Sequence, residues 1–203
     1  DKALDVETVS KKLLSQPKNK YKAILLTQVD TSTSVKNDIK NLRKKLTEIE
    51  CPSLLAVDCI ASLACDRFEM DAWGVDVMVA ACQKGLMVPP GMGFVFFNHR
   101  AEERQKELKN VSLYWDWEPR VNPSRYYEYF CGTAPTHHIY GLRTALDMIK
   151  NEEIEKTWKR HEILSQAIWA AVDSWSLGSD ISLNVKDPSE RSHAVSCLRL
   201  GGN

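Results

Sequence analysis

The chain reads as an α/β protein built on a mostly parallel sheet with helices on both faces. Three observations carry that reading. Short apolar runs, Tyr21–Thr27, Leu54–Asp58 and Val75–Ala81, recur along the first half, and fully apolar runs of this length suit parallel strands buried on both faces. Between the first two lies a segment with helical periodicity, so strand, helix and strand follow in the order of a right-handed crossover unit. Each run also leads into polar residues, and ligands of such sheets bind beyond the carboxyl ends of the strands.

The elements follow in order. Leu4, Val6, Val9, Leu13 and Leu14 give residues 4–16 an amphipathic helical pattern, which Pro17 breaks. The first strand leads into the hydroxyl-rich loop Gln28–Ser34. Ile39, Leu42, Leu46 and Ile49 then mark one helix face over Asp38–Ile49. The second strand ends on the carboxylate of Asp58. Residues 60–65 read as a small-residue turn and 68–74 as a short helix or turn. The third strand leads to Gln83-Lys84, and Pro89-Pro90-Gly91 forces a turn before the apolar run Phe94–Phe97. A helix is expected over Ala101–Leu108. The aromatic, proline-bearing stretch 113–130 reads as a surface loop with anchors, suited either to a subunit interface or to packing on its own domain. Helices are expected over Pro135–Ile149 and Glu152–Trp175, the latter with Ile154, Trp158, His161, Leu164, Ile168, Ala171, Val172 and Trp175 near one face. Weak alternation in 179–200 marks the start of a second, smaller α/β unit. The expected division is therefore 1–150 for the larger domain and 151–203 for the beginning of the smaller one.

Composition narrows the function. The 203 residues carry 27 basic and 27 acidic side chains, a formal net charge of zero, so no global field favours nucleic acid or an anionic membrane. The basic surplus in residues 1–50 falls at helical spacing and reads as a solvated helix face. No apolar run reaches the length of a membrane span. The six cysteines form no C-x-x-C pair, and His137-His138 has no ligand partners at zinc-type spacing, so no metal is expected and the thiols read as small buried hydrophobes in a reducing compartment.

The chemistry sits on the strand ends. A lysine such as Lys84 can snorkel into water, or it can lose solvation and serve as an amine nucleophile toward a carbonyl. Asp58 can be a cap or surface ion-pair partner, or it can hold a pyridinium N–H. Thr31 can be an ordinary turn hydroxyl or a contact to a ring hydroxyl. Gln83 can donate to a phosphate, and Ile60 can cover a ring face. Together these groups fit a pyridine cofactor.

Val57-Asp58, Trp73-Gly74-Val75-Asp76-Val77, Gln83-Lys84 and Pro89-Pro90-Gly91 resemble, in order and spacing, the lysine-bearing segment of class V aminotransferases, pyridoxal-phosphate enzymes of fold type I. Tyr114-Trp115-Asp116-Trp117, Thr133, Tyr140-Gly141-Leu142-Arg143 and Arg160-His161 extend the resemblance, which is greatest to the alanine–glyoxylate and serine–glyoxylate enzymes. It implies pyridoxal 5'-phosphate as cofactor, Lys84 as the Schiff-base lysine and Asp58 as the pyridinium partner. Thr31 is implied as the ring-hydroxyl contact, Gln83 as a phosphate contact, and Thr133 as a contact to the cofactor phosphate of the neighbouring subunit. The implied partners are a small amino acid, a 2-oxo acid and a second copy of the chain in a homodimer with shared sites. A cytoplasmic location is expected, or a peroxisomal or mitochondrial one in a eukaryote. The chain departs from the family pattern at Cys82, at Phe130-Cys131-Gly132 and at Gln28-Val29. The resemblance places the family's phosphate cup and ring-stacking aromatic before residue 1 and its substrate-binding arginine after residue 203, so the 203 residues alone are expected to lack turnover. Gln83, where cysteine desulfurases carry histidine, argues against a lyase of that kind. The presence of both Lys84 and Asp58 argues against a non-catalytic scaffold.

Overall fold

A computed structural model describes residues 2–201. Four strands form one sheet in sequence order, β1 (Ala23–Thr27), β2 (Leu54–Asp58), β3 (Val77–Ala81) and β4 (Gly93–Phe97). The first three are mutually parallel and β4 runs antiparallel to β3. The apolar runs thus mark the strands, with Tyr21 and Val75 left just outside them.

Strand alternation divides the sheet into two faces. Leu55, Val57, Met78 and Ala80 form one core with Ile39, Leu42 and Leu46 of helix α2 (Ile39–Glu48), and Val6, Val9 and Leu13 of helix α1 (Val6–Leu14) pack against it. Each helix begins where a carboxylate takes up an orphan amide: Asp5 accepts from Glu7 N and Asp38 from Asn41 N. Register places Thr27, Asp58, Val79 and Val95 on the opposite face. There Trp117 stacks on Phe97 with ring centroids 4.8 Å apart, while Leu25 is 79% exposed. Among the described residues α1 and α2 therefore cover one face only, and the expected second helical layer is not formed over β1.

The N-terminal edge of the sheet is fixed by a buried carboxylate. Asp76 accepts from the Leu55 amide at 2.7 Å, from Asn98 Nδ2 at 3.0 Å and from Arg100 Nη1 at 2.9 Å, with Arg43 Nη1 at 3.6 Å. Arg100 also donates to the Pro52 and Ser53 carbonyls, tying helix α3 (His99–Lys106) to the start of β2.

The aromatic stretch contains a short helix α4 (Glu118–Val121) and a 3₁₀ turn (Tyr126–Phe130) that the sequence pattern did not reveal. Helices α5 (Thr136–Glu152) and α6 (Ile154–Trp175) are separated by Glu153 at φ 72°. The face expected for α6 holds in part: Val172 is buried and Ile154, Trp158, His161 and Ala171 are half-buried, but Leu164, Ile168 and Trp175 are exposed, and the other buried positions are Thr157, Ser165 and Trp169. The reason lies in the segment that follows. Ile181 and Leu183 pack on Trp169 and Val172, and Trp169 Nε1 donates to Ser196 Oγ. Strands β5 (Ser182–Leu183) and β6 (Leu198–Arg199) pair antiparallel in this segment. No described helix is long and apolar enough to cross a membrane.

Candidate active site at the carboxyl ends of the strands

Asp58 is the last residue of β2, between Thr27 and Val79 of the flanking strands. Its Oδ1 accepts from the Ile60 amide at 2.8 Å, and its Oδ2 has no hydrogen-bond partner among the described residues. Ile60 therefore acts on Asp58 through its backbone, fixing the carboxylate while one oxygen stays available. The Gln28 amide donates to the Asp58 carbonyl at 2.8 Å, which sets the start of the Thr31 loop beside Asp58.

Lys84 lies in a turn three residues beyond the end of β3, not within the buried strand, and is exposed. The turn itself is tightly held. Cys82 is fully buried; its Sγ lies 3.0 Å from the Pro89 carbonyl, to which it donates, and accepts from the Met92 amide at 3.3 Å. The Cys82 carbonyl accepts from Val88 N, and the Lys84 carbonyl from Met87 N. A Cβ on Gly85 would lie 2.1 Å from the Leu63 carbonyl oxygen, so only glycine lets the turn approach the loop after β2. Below, Cys82 and Val88 pack on Ala145 of α5, with Leu142 and Met92 against them. Cys82, a departure from the family pattern in sequence, is thus the residue that closes the Lys84 turn.

The Lys84 ammonium, the Gln83 amide and the Thr31 hydroxyl make no hydrogen bond or ion pair among the described residues, and all three side chains are exposed. Thr133 is also exposed, in the bend before α5, and no hydrogen bond joins it to the other site residues. Thr31, Asp58, Ile60, Gln83 and Lys84 thus lie at or just beyond the carboxyl ends of β1, β2 and β3, while Thr133 lies in the bend before α5.

Several polar residues around the rim have the opposite character. Gln28, 2% exposed, donates from Nε2 to the Arg67 carbonyl and accepts from Ser62 Oγ, joining the exit of β1 to the loop after β2. The Asp30 carboxylate accepts from the Ser32 and Thr33 hydroxyls and from the Ser32 amide, and the Thr33 hydroxyl holds its pKa below the usual carboxylate value. Asp66, buried, accepts from Ser192 Oγ at 2.6 Å and from the His193 amide. Sequence reasoning missed these three because their partners lie in other segments or in a loop with no periodicity. The only sequence signal was polar side chains set among small ones. All six cysteines are free; Cys59, Cys65 and Cys82 are buried as expected, whereas Cys51, Cys131 and Cys197 are half-buried. Burial pushes the Cys59 thiol up to about 12 and the Cys65 thiol to about 11. No group of three or more metal-ligating side chains occurs among the described residues.

A mostly parallel sheet with helices packed on it matches the fold of type I pyridoxal-phosphate transferases. The chain belongs to the class-V aminotransferase family, whose sequence model matches residues 2–202. It is 35% identical over 173 residues to a serine–glyoxylate aminotransferase of Arabidopsis thaliana, covering 85% of this chain and 43% of that protein. It is 33% identical over 184 residues to an L-aspartate–glyoxylate aminotransferase of Paracoccus denitrificans, covering 90% and 45%. The crystal structure of an alanine–glyoxylate aminotransferase from Nostoc sp. superposes with a TM-score of 0.85 at 24% identity, over 98% of this chain and 51% of that one. The chain spans a little under half the length of these two curated relatives.

Proposed function

We propose that this chain supplies the lysine and the pyridinium-binding carboxylate of a pyridoxal-phosphate-dependent aminotransferase that exchanges an amino group between a small amino acid, alanine or serine, and glyoxylate or another 2-oxo acid. One observation carries the reading. Among the described residues the Lys84 amine, the Thr31 hydroxyl, the Gln83 amide and Asp58 Oδ2 on the rim have no hydrogen-bond partner, while their neighbours Gln28, Asp30 and Asp66 are held by internal hydrogen bonds. The relatives named for serine–glyoxylate and L-aspartate–glyoxylate transfer share glyoxylate in their names and differ in the amino acid, which supports the acceptor more firmly than the donor.

The residues fit the cofactor. Asp58 Oδ2 would accept the ring N–H and keep that nitrogen protonated, with the Ile60 amide fixing the carboxylate through Oδ1. The bound cofactor supplies an electron sink for charge developing at the substrate α-carbon. The Lys84 amine would hold the cofactor aldehyde covalently in the resting protein. Displaced by substrate, it would take the α-proton and return it on the other side of the transfer. The Cys82–Met92 turn fixes the Lys84 backbone while leaving its four-carbon stem free to swing. Thr31 would donate to the ring hydroxyl oxygen, Ile60 would lie against the ring, and Gln83 would reach the phosphate. Thr133 would contact the cofactor phosphate of a second subunit. The exposed Tyr114, Trp115, Tyr126 and Tyr129 support a homodimer built on the aromatic stretch. Residues 1–150 would form part of the cofactor-binding domain and 151–203 the beginning of the smaller one, in a protein of the cytoplasm, peroxisome or mitochondrion.

The test is spectroscopic. Full-length protein loaded with pyridoxal phosphate should show a visible absorbance band that borohydride bleaches, with the reduced label recovered on the peptide containing Lys84. An unchanged band in Lys84→Ala would overturn the assignment. Single-turnover amino transfer from alanine, serine and aspartate then ranks the donors.

A further inference from the structure

The loop that carries Thr31 is held in two layers. Inside it, the Asp30 carboxylate gathers the Ser32 and Thr33 hydroxyls, and the Asp30 amide donates to the Val35 carbonyl at 3.0 Å. These bonds give the loop its shape, but they leave its outward carbonyls to find partners elsewhere. Four successive ones face three donors of a single distant segment. Cys197 Sγ lies 3.6 Å from the Thr31 carbonyl and 3.3 Å from that of Ser32. Its one proton serves one of them at a time. Asn184 Nδ2 donates to the Thr33 carbonyl at 2.9 Å. The Ser192 amide donates to the Ser34 carbonyl at 3.2 Å. On the next residues, Val35 and Arg191 form an antiparallel bridge and the Lys36 amide donates to the Glu190 carbonyl at 2.8 Å.

The same segment is anchored on the loop after β2. Asp66 takes the Ser192 hydroxyl and the His193 amide, with Lys36 Nζ at 3.8 Å. It is fixed to its own unit as well. Asn184 Oδ1 accepts from Arg199 Nε at 2.8 Å, and its amide donates to the Cys197 carbonyl, so one side chain joins the β5–β6 pair to the Thr31 loop. Among the described residues no hydrogen bond runs from residues 183–199 to Asp58 or Lys84. The arrangement acts on one side of the rim only.

We infer that Asn184, with Cys197 and Ser192 beside it, is a positioning residue for the Thr31 hydroxyl, so that the segment after α6 sets a cofactor contact made by the loop after β1. The inference rests on the proposed role of Thr31. Any movement of the 183–199 segment on the sheet is passed directly to the Thr31 carbonyl row. Substrate contacts made by that unit would then alter the electronic state of the ring through Thr31, without moving the lysine.

Asn184→Asp removes the donor to Thr33 and keeps the acceptor for Arg199, so it separates the clamp from the β5–β6 pair. Two readouts apply to the full-length protein. In the cofactor-free form, amide exchange over 31–36 should rise about tenfold in Asn184→Asp, with β1 and α2 unchanged. In the loaded form, the pH titration of the visible band should move in the same direction as in Thr31→Val. Should Asn184→Asp fail to fold, Cys197→Ala gives a milder version of both measurements. Exchange and titration both at wild-type values, with Thr31→Val shifted, would overturn the inference. If Thr31→Val leaves the titration unmoved, the role of Thr31 itself is wrong, and the proposal falls with it even where exchange confirms the clamp.

Discussion

At the scale of single residues, the site divides into groups kept free and groups that are used up. Gly85 is used up by space alone. A methyl there would meet the Leu63 carbonyl oxygen at 2.1 Å, and neither backbone can yield without moving the Lys84 turn or the loop that follows Asp58. Gly85→Ala is expected to cost about 1–3 kcal/mol in urea unfolding. It should also lower the extent of borohydride labelling at Lys84, because the turn that carries the amine proposed to hold the aldehyde is displaced. The buried thiols give an independent check on the packing beneath the rim. With Cys59 pushed to about 12 and Cys65 to about 11 by burial, both remain protonated at pH 8, and thiolate is the reactive form. Iodoacetamide at that pH should modify the half-buried Cys51, Cys131 and Cys197 and spare Cys59 and Cys65 until urea unfolds the chain. Both thiols have folded pKa values above their unfolded ones, so the unfolded chain loses protons first as pH rises past about 9, and stability falls through the range up to about 12.

At the scale of elements, the strands were legible because a buried parallel strand is an apolar run and little else. Leu54–Asp58 was read to the residue, and Asp58 with it, since a carboxylate closing such a run stands out. The Lys84 turn was legible from Pro89-Pro90-Gly91, although the lysine sits beyond the strand and in solvent. Helix α6 was legible as a helix and misread in part of its buried face, because Thr157 and Ser165 are polar and Leu164 and Ile168 are not. Hydrophobic periodicity cannot place a helix whose partner is a short polar-edged segment. Nor could it show the clamp, since Asn184 and Thr33 are 151 residues apart. The junction between α5 and α6 carries a prediction of its own. Arg160 Nε and Nη2 grip the two Glu152 oxygens at 2.6 and 2.9 Å across the break at Glu153, with Thr157 Oγ1 donating as well. The Arg160 guanidinium holds the Glu152 carboxyl down to about 2. Because the folded value is depressed, the contribution is complete above the ordinary glutamate range near 4.5 and disappears as pH falls through about 2. Arg160→Ala should therefore lower the urea midpoint at pH 6, and the gap from the parent should close as unfolding is repeated toward pH 2.

At the scale of the whole molecule, the two ends of the sheet have separate duties. The N-terminal ends of β2 and β3 are held by Asp76, 1% exposed and bonded to the Leu55 amide, Asn98 and Arg100. The carboxyl ends carry Asp58, whose carboxylate is bonded, among the described residues, only to the Ile60 amide. Two aspartates of similar sequence surroundings, each closing or opening an apolar run, thus differ in kind. Removing Asp76 leaves a buried amide without an acceptor and two guanidinium groups without their carboxylate, a loss that breaking a buried pair puts at about 3 kcal/mol. Asp58→Asn keeps an oxygen for Ile60 and gives up only the charge, so it should leave the cofactor-free chain within about 0.5 kcal/mol of the parent. Unfolding by urea without cofactor, followed by cofactor titration, separates the two. Asp76→Ala should shift the midpoint strongly, and at concentrations where it is still folded it should bind pyridoxal phosphate as the parent does. Asp58→Asn should unfold with the parent and lose the carboxylate proposed to keep the ring nitrogen protonated, which shows as weaker binding and an altered visible band. A large stability loss in Asp58→Asn would mean that the free Oδ2 has a structural partner in the assembled protein, and the division of the sheet into a holding end and a reacting end would not stand.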